Sequence, residues 1–236
     1  MSIKIGQASL GETGGRNQQP GNQTGRELNI SSWYNGRWLG VLRYKSRKKA
    51  ERAAQTCEAA IKNRNIGYDM DDRNTAYEAA RAVGWDVSKI AKPVETDCSG
   101  LMTLCAVAAG CEAVAALYKK QGNSCTTYCM LDDWPATGDF ELLIGSKYLK
   151  TDANLLRGDV LVSEGHTVMA LEDGKNAEEE TEMVEKSKII VDGKEITVER
   201  ILKNGTNYVK VRDLAAALDL EVSNKGNIAV LNHKEK

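Results

Sequence analysis

The feature that most constrains the fold is the apolar run LMTLCAVAAG, residues 101–110, which directly follows the polar segment ETDCSG. Its apolar residues recur at helical spacing: Leu101, Leu104, Cys105 and Ala108. The run therefore predicts a buried helix. Cys98 stands at the polar entrance of this helix, between Asp97 and Ser99.

This position suggests a chemical role for Cys98. A helix N-terminus carries unpaired N–H groups and a positive partial charge, which lower a thiol pKa. We therefore expect Cys98 to be the most acidic and reactive thiol, with Thr96 or Asp97 as the helix cap. A nucleophilic thiolate needs an acid/base partner, usually a histidine. Of the two histidines, His233 lies three residues from the C-terminus, so His166 is the expected base.

The other five cysteines carry no comparable signal. All six are expected to be reduced thiols in a cytoplasmic chain, and Cys57, Cys105 and Cys111 to be packing residues. The sequence has no Cys-x-x-Cys pair, and its one Cys-x-x-x-Cys, formed by Cys125 and Cys129, lacks a partner pair. It therefore predicts no zinc or other metal site.

The bulk properties exclude some classes of protein. The 236 residues carry a net charge of −1, which gives no indication of nucleic-acid binding. No apolar run approaches the roughly 18 residues that span a bilayer, so no membrane segment is expected. The N-terminus lacks the hydrophobic core of a signal peptide, and we expect the chain to be made in the cytoplasm.

The pattern along the chain predicts one larger and one smaller domain. Residues 3–44 are β-rich, with Ile3, Ile5 and Gln7 on one strand face and two later strands around a turn at Asn35-Gly36. The other predicted elements are helices at 46–63 and 73–83 and a hairpin at 157–174 that turns at 163–165.

Residues 172–186 hold seven acidic and two basic residues, a net charge of −5, with no apolar periodicity. The expected boundaries are a catalytic domain at 1–174, an acidic linker at 175–187 and a small β/α domain at 188–236. The small domain is expected to contain a turn at Asp192-Gly193.

Three motifs resemble a known family. TDCSGL, RGDVLV and GHTVMALEDG are similar to the NlpC-type and CHAP branch of papain-like cysteine peptidases, which are cell-wall hydrolases of bacteria and phage endolysins. The resemblance implies an α+β papain-like fold, in which the cysteine opens a helix packed on an antiparallel sheet and the histidine begins a sheet strand. It implies Cys98 as nucleophile, His166 as base, and Asp97 and Ser99 as supporting or substrate-binding residues. NIGYDMDDR resembles the segment ahead of the nucleophile and makes Tyr68 a candidate to line the cleft.

The family also uses a third polar residue on the strand after the histidine strand, where it fixes the imidazole tautomer. Only MALEDG and the acidic segment follow His166. Text that resembles the missing strands, GQASLGETGG to WLGVLRY, instead occupies residues 6–44. The domain therefore resembles a circularly permuted member, with Gln7 as the third residue where related permuted sequences have histidine. The alternative is that Gln7 is an ordinary polar residue in an edge strand.

Residues 188–236 resemble the small N-terminal domain of copper amine oxidases, which implies wall attachment or self-association. This stretch has one terminal histidine and no cysteine, so it lacks copper ligands. The codons of EEETEM are purine-rich and resemble a ribosome-binding site ahead of Met183. A separately translated fragment of residues 183–236 could then join the full-length chain as an extra wall-binding or oligomerising subunit, and the full-length chain could also form a homo-oligomer. The alternative is a simple soluble linker.

Together these patterns predict a phage-type endolysin that hydrolyses an amide bond in peptidoglycan without a cofactor and acts on the wall after release. Stem-peptide endopeptidase and N-acetylmuramoyl-L-alanine amidase activities both remain open. Two other classes also remain: a non-catalytic wall-binding protein with a decayed site, and a cytoplasmic thiol amidohydrolase.

Overall fold

The structure, a computed structural model, describes residues 2–15, 19–177, 184–203, 206–226 and 228–233. The chain divides into two units, Met1–Ala177 and Glu178–Lys236. The first unit packs helices on an antiparallel sheet, so the predicted α+β class is confirmed. Within the described residues, no helix has the length and apolar character needed to cross a membrane.

A six-stranded sheet forms the centre of the first unit. Its strands are β1 (Lys4–Ala8), β2 (Leu28–Ser32), β3 (Gly40–Tyr44), β6 (Phe140–Leu143), β7 (Val160–Ser163) and β8 (His166–Ala170). They lie in the order β2-β1-β8-β7-β3-β6, and every neighbouring pair is antiparallel. The N-terminal strand β1 thus lies beside β8, with Ile5 opposite Ala170 and Gly6 opposite Met169, where the sequence predicted the missing strand.

Two expectations for the sheet need correction. The predicted strands on either side of Asn35-Gly36 both form, but they do not pair with each other, because β2 pairs with β1 and β3 lies between β7 and β6. The sequence also missed β6, a short edge strand in which Phe140 is buried while Glu141 and Leu142 are exposed. A four-residue edge strand offers too little alternation to be recognised from sequence.

Six helices accompany the sheet in the described part of the first unit. They are α1 (Arg47–Lys62), α2 (Thr75–Ala82), α3 (Cys98–Ala108), α4 (Glu112–Gln121), α5 (Thr127–Ala136) and α6 (Ser146–Leu149). All residues of α3 are buried, as the apolar run predicted. Helix α1 approaches the sheet closely, because a Cβ on Gly6 of β1 would lie 2.7 Å from Cys57 Sγ. Gly6 therefore allows the contact that holds β1 in place.

A second hydrophobic cluster covers the other face of the sheet. It contains Ile3, Ile5, Trp38, Val41, Leu155, Leu161, Val168 and Ala170. Because β1 and β8 contribute to this cluster as well as to the helix side, both strands are held from two faces. The strand that carries His166 is consequently a rigid support.

A short parallel pair leads the chain into α3. Strand β4 (Ile66–Tyr68) pairs with β5 (Val94–Thr96), and Tyr68 lies in register with Thr96. Thr96 is followed by Asp97, which caps α3, and then by Cys98. This pairing positions the entrance of the buried helix.

The second unit contains β9 (Val184–Val191), β10 (Lys194–Lys203), β11 (Thr206–Val209), α7 (Val211–Ala217), β12 (Leu220–Lys225) and β13 (Ile228–His233). Strands β11, β10 and β9 form one antiparallel sheet, and β12 and β13 form a second. The predicted turn is present, with φ of 48° at Asp192 and 76° at Gly193. A two-residue hairpin turn of type I′ requires a positive φ at both of its central residues.

The predicted acidic linker is too long at its C-terminal end, because β9 begins at Val184. One charged residue of this stretch has a residue of opposite charge across the sheet, because Lys186 of β9 is opposite Glu199 of β10. Opposite charges in cross-strand register stabilise a strand that has no apolar periodicity. Residues 178–183, including Met183, lie outside the described residues.

The expectation of six reduced thiols also changes. Cys125 and Cys129 form a disulfide with their Cα atoms 6.0 Å apart, whereas Cys57, Cys98, Cys105 and Cys111 are free and buried. Cys125 lies just before the helix cap Thr126 and Cys129 lies in the first turn of α5, so the chain entering the helix brings the two cysteines within the Cα separation that disulfides have.

Candidate active site

The centre of the candidate site is a hydrogen bond between two strands. Gln7 Oε1 of β1 lies 2.9 Å from His166 Nε2 of β8. The Gln7 amide nitrogen donates to Asn29 Oδ1 and to Ser31 Oγ on β2, each at 3.2 Å. Because the amide nitrogen is engaged there, its oxygen faces the imidazole, and Nε2 must carry the proton. Neutral His166 therefore has Nδ1 as its proton acceptor.

The orientation of Gln7 is itself fixed by its neighbours. Asn29 donates through Nδ2 to Ser9 Oγ at 3.1 Å and to the Arg26 carbonyl at 2.8 Å, which turns Asn29 Oδ1 toward Gln7. These contacts join side chains far apart in sequence, and the sequence analysis missed them. A chain of oriented amides holds the imidazole in one tautomer.

Tyr34 is a further residue of the site that the sequence analysis missed. Its hydroxyl donates to Gln7 Oε1 at 3.2 Å, so this oxygen accepts from both Tyr34 and His166. Burial, and secondarily the negative charge that Cys98 can carry, raise the pKa of Tyr34 above 10.0. Because the charge of Cys98 affects the pKa of Tyr34, the phenol lies close enough to the candidate nucleophile to interact with it electrostatically.

Cys98 lies at the first position of α3. Asp97 caps this helix by accepting a 2.6 Å hydrogen bond from the Gly100 N–H. The backbone N–H groups of Thr167 and Ser99 face the Cys98 sulfur and act to lower its pKa. Because Thr167 directly follows His166, the sulfur lies against the strand that carries the candidate base.

The acidity of Cys98 differs from the expectation. Burial raises the pKa of the thiol to about 11, and the negative charge of Asp97 adds to the effect. The amide donors of Thr167 and Ser99, together with Arg73, oppose this shift without overcoming it. The prediction of a lowered thiol pKa is therefore wrong, because Cys98 is only 6 % exposed and desolvation outweighs the helix N-terminus.

The pKa of His166 is shifted in the opposite direction to that of Cys98. Burial lowers the pKa of the imidazole below 6.5, and the negative charge of Asp97 partly offsets that effect. At neutral pH the thiol and the imidazole are consequently both uncharged.

A buried charged cluster supports the start of α3. Arg73 binds Asp97 through Nε at 2.8 Å and through a terminal nitrogen at 3.2 Å, and it donates to Ser99 Oγ at 2.6 Å. Its other terminal nitrogen donates to Asn123 Oδ1 and to the Ser124 carbonyl, each at 2.9 Å. Asp97 and Ser99 are 5 % and 2 % exposed, which favours support of the helix over substrate binding.

Tyr68 is mostly buried on β4, beside the segment that leads into Cys98. Its backbone N–H donates to Glu27 Oε2 at 3.1 Å, and Glu27 Oε1 accepts from the Gln23 N–H at 2.7 Å. Buried Glu95 accepts a hydrogen bond from the Gly21 N–H. These two carboxylates, which the sequence analysis missed, attach residues 21–27 to the β4–β5 pair.

Glu95 has an altered acidity. Burial raises the pKa of its carboxyl from 4.5 to about 7; the Gly21 N–H opposes the shift, and the nearby charge of Glu27 increases it. Glu95 is therefore partly protonated at neutral pH.

Among the described residues, one group of cysteine and acidic side chains could hold a metal ion: Cys125, Cys129 and Asp133. It belongs to α5 and the loop before it, and none of its members is a predicted active-site residue. The chemistry of the Cys98–His166 pair needs no cofactor.

Comparison with known proteins identifies one family. The model of the endolysin-like domain matches residues 5–177, which is well over half of the chain. No curated protein and no solved structure matches the chain.

Proposed function

We propose a function from the family to which the chain belongs, the endolysin-like domain family, which supports a phage endolysin role in cell-wall lysis with peptidoglycan as substrate. On that premise we propose that it is a cysteine hydrolase that cleaves an amide bond in peptidoglycan, with Cys98 as nucleophile, His166 as general base and Gln7 as the residue that orients the imidazole. The observation that carries the proposal is the 2.9 Å contact between Gln7 Oε1 and His166 Nε2.

The contact supports the proposal because it assigns a direction to proton transfer. With Nε2–H donated to Gln7, Nδ1 accepts the thiol proton while the Cys98 sulfur forms a bond to the amide carbonyl carbon. The carbonyl oxygen takes up the negative charge, and the backbone N–H of Cys98 at the helix start stabilises it. The imidazolium Nδ1–H then protonates the leaving nitrogen as the C–N bond breaks.

The remaining acyl-thioester is removed by water. His166 Nδ1 accepts a proton from water as the water oxygen attacks the thioester carbon, and the C–S bond breaks to release a carboxylic acid, which loses its remaining proton to solvent. The proton returns to the sulfur and restores the neutral pair. Tyr34 and Gln7 maintain the tautomer through both halves of the reaction, and Tyr68 lines the cleft beside Cys98.

We also propose that the domain is a circularly permuted relative of the NlpC-type and CHAP papain-like hydrolases. The position of β1 beside β8 supports this, because the strand next to the histidine strand comes from the start of the chain. Deletion of residues 1–10 should abolish lysis and expose the edge of β8 to fast amide exchange. Full lytic activity of the truncated chain would contradict the permutation.

For the second unit we propose wall attachment or self-association, as the resemblance to the amine oxidase domain implies. A fragment that starts at Met183 would supply an additional copy. Intact-mass analysis of protein expressed from the native gene should show two species, and silent recoding of the Glu codons should remove the smaller one. A single full-length species with either gene would exclude the internal start.

The proposed chemistry is tested by digesting purified peptidoglycan and identifying the new amino termini by mass spectrometry. A new amino terminus at the L-Ala that was bound to N-acetylmuramic acid indicates the amidase. A new amino terminus within the stem peptide indicates the endopeptidase. Cys98→Ala should abolish product, whereas Cys111→Ala, which removes another buried thiol, should retain it.

The two other classes are outcomes of the same experiment. Lysis by Cys98→Ala equal to that of the wild type would favour a non-catalytic wall-binding protein. Cleavage of soluble peptides without cleavage of wall would favour a cytoplasmic thiol amidohydrolase. A further proposal is that the protein acts on the wall only after release from the cytoplasm, which fractionation of infected cells before and after lysis would test.

A further inference from the structure

Cys125, Cys129 and Asp133 bring three metal-ligating side chains to one place outside the candidate active site. Cys129 and Asp133 are four residues apart on α5 and share one helix face, and Cys125 lies in the chain just before the helix cap Thr126. Their ligand atoms lie within 4.8 Å of one another, and Cys125 Sγ is 3.7 Å from Asp133 Oδ2. Cysteine spacing alone predicted no metal site, because the third ligand is a carboxylate one turn further along the helix.

The Cys125–Asp133 separation suits a tetrahedral zinc ion, whereas the two sulfurs, which are bonded to each other in the disulfide form, must separate on reduction before both can bind it. Bonds of about 2.3 Å to sulfur and about 2.1 Å to carboxylate oxygen place two ligand atoms of one ion about 3.6 Å apart. Two thiolates and one carboxylate form a soft, doubly sulfur-ligated set that prefers zinc to magnesium or calcium. Cys125 is buried, whereas Cys129 and Asp133 are half-buried, so a fourth position faces solvent.

The ligands are held in place by their surroundings. Met130 and Trp134 of α5 are fully buried and fix the helix on the core. The Gln121 amide nitrogen lies 3.3 Å from Asp133 Oδ2 and orients this carboxylate. On the other side, Arg73 binds the Ser124 carbonyl, which adjoins Cys125. Partners that orient a ligand raise the affinity of a metal site.

The geometry points to a zinc site formed by Cys125, Cys129 and Asp133 when the two cysteines are reduced. The disulfide form cannot bind the ion through thiolates. A dithiol reductant interconverts the two states: the S–S bond breaks, each sulfur gains one electron and one proton, and the dithiol is oxidised to its own disulfide. Zinc binding then displaces the two thiol protons into solvent.

The test uses the full chain, reduced by a phosphine that is removed before metal is added. Zn²⁺ is titrated in competition with a chromophoric chelator, and Co²⁺ is used as the spectroscopic probe of thiolate ligation. We expect one equivalent of zinc and a sulfur-to-cobalt charge-transfer band. Cys129→Ser should lose the band, and Asp133→Asn should weaken zinc binding about tenfold or more.

Three controls separate this site from other ligands. Asp132→Asn removes the same charge from the neighbouring, exposed position and should bind zinc as the wild type does. Cys98→Ala should also retain binding, because Cys98 and His166 are not ligands. The oxidised chain, with four free thiols instead of six, should not bind. Binding that is lost in Cys98→Ala, equal in Asp133→Asn and Asp132→Asn, or retained by the oxidised chain would overturn the proposal.

Discussion

Removal of Arg73 should destabilise the first unit strongly. The side chains of Arg73 and Asp97 are 8 % and 7 % exposed, so Arg73→Ala leaves a buried carboxylate without its counter-charge. Loss of one partner of a buried pair costs about 3–5 kcal/mol. In a unit of this size, each kcal/mol lowers the melting temperature by roughly 2–4 °C, so the expected decrease is roughly 6–20 °C.

The assay can report the first unit alone. All four tryptophans lie between residues 33 and 134, so tryptophan fluorescence during urea or thermal unfolding follows the unit that contains Arg73. The matched control is Arg81→Ala. Arg81 pairs with Glu78 at 2.7 Å, but the two side chains are 65 % and 44 % exposed. Such a surface pair contributes about 0–1 kcal/mol, so this variant should unfold almost as the wild type does.

A double variant separates the effect of charge from the effect of packing. Arg73→Met removes the guanidinium but keeps most of the side-chain volume. Adding Asp97→Asn removes the carboxylate charge that is then unpaired, and the amide oxygen can still accept the hydrogen bond from the Gly100 N–H. The double variant should be more stable than Arg73→Met alone. The reasoning is refuted if Arg73→Ala unfolds like Arg81→Ala, or if the double variant is no more stable than the single one.

Four further outcomes are expected. Gln7→Ala should lower the lytic rate roughly 10–100-fold with unchanged unfolding, and Gln7→His should retain activity; equal rates for all three proteins would exclude a role in orienting His166. The pH–rate profile should rise through a pKa below 6.5 and be level at pH 7, because His166 acts as the neutral base; a midpoint above 7 would contradict this. Iodoacetamide labelling of Cys98, located by peptide mapping, should be slow at pH 7 and rise about tenfold per pH unit toward its pKa of about 11; a rate independent of pH would instead indicate a thiolate–imidazolium pair. The pKa of Glu95 is about 7 in the folded chain and 4.5 in the unfolded chain, so its contribution to stability is present below pH 4.5 and is lost as the pH rises to about 7. Glu95→Gln should therefore reduce the dependence of urea unfolding on pH over this range. An unchanged pH dependence would show that Glu95 does not cause it.

Much of the fold follows from local patterns in the sequence. The apolar residues after Cys98 recur at helical spacing and predicted a buried helix. All of α3 is buried. Alternation and glycine turns predicted the hairpin of β7 and β8 and the turn at Asp192-Gly193. The resemblance to the papain-like hydrolases, and not periodicity, implied that the N-terminal strand lies beside the histidine strand, which is where β1 lies. Periodicity and turn chemistry are short-range properties, so they can be recognised in a sequence.

The electrostatics of the candidate site were decided by the tertiary structure alone. The helix N-terminus at Cys98 was visible in the sequence, but its effect on the thiol pKa depends on how much water the surrounding residues exclude, and burial reversed the expected sign. Arg73 and Tyr34 reach their partners across loops that no local spacing specifies. Desolvation and long-range hydrogen bonds exist only once distant segments have packed together, and for this protein they determine the protonation of Cys98 and His166.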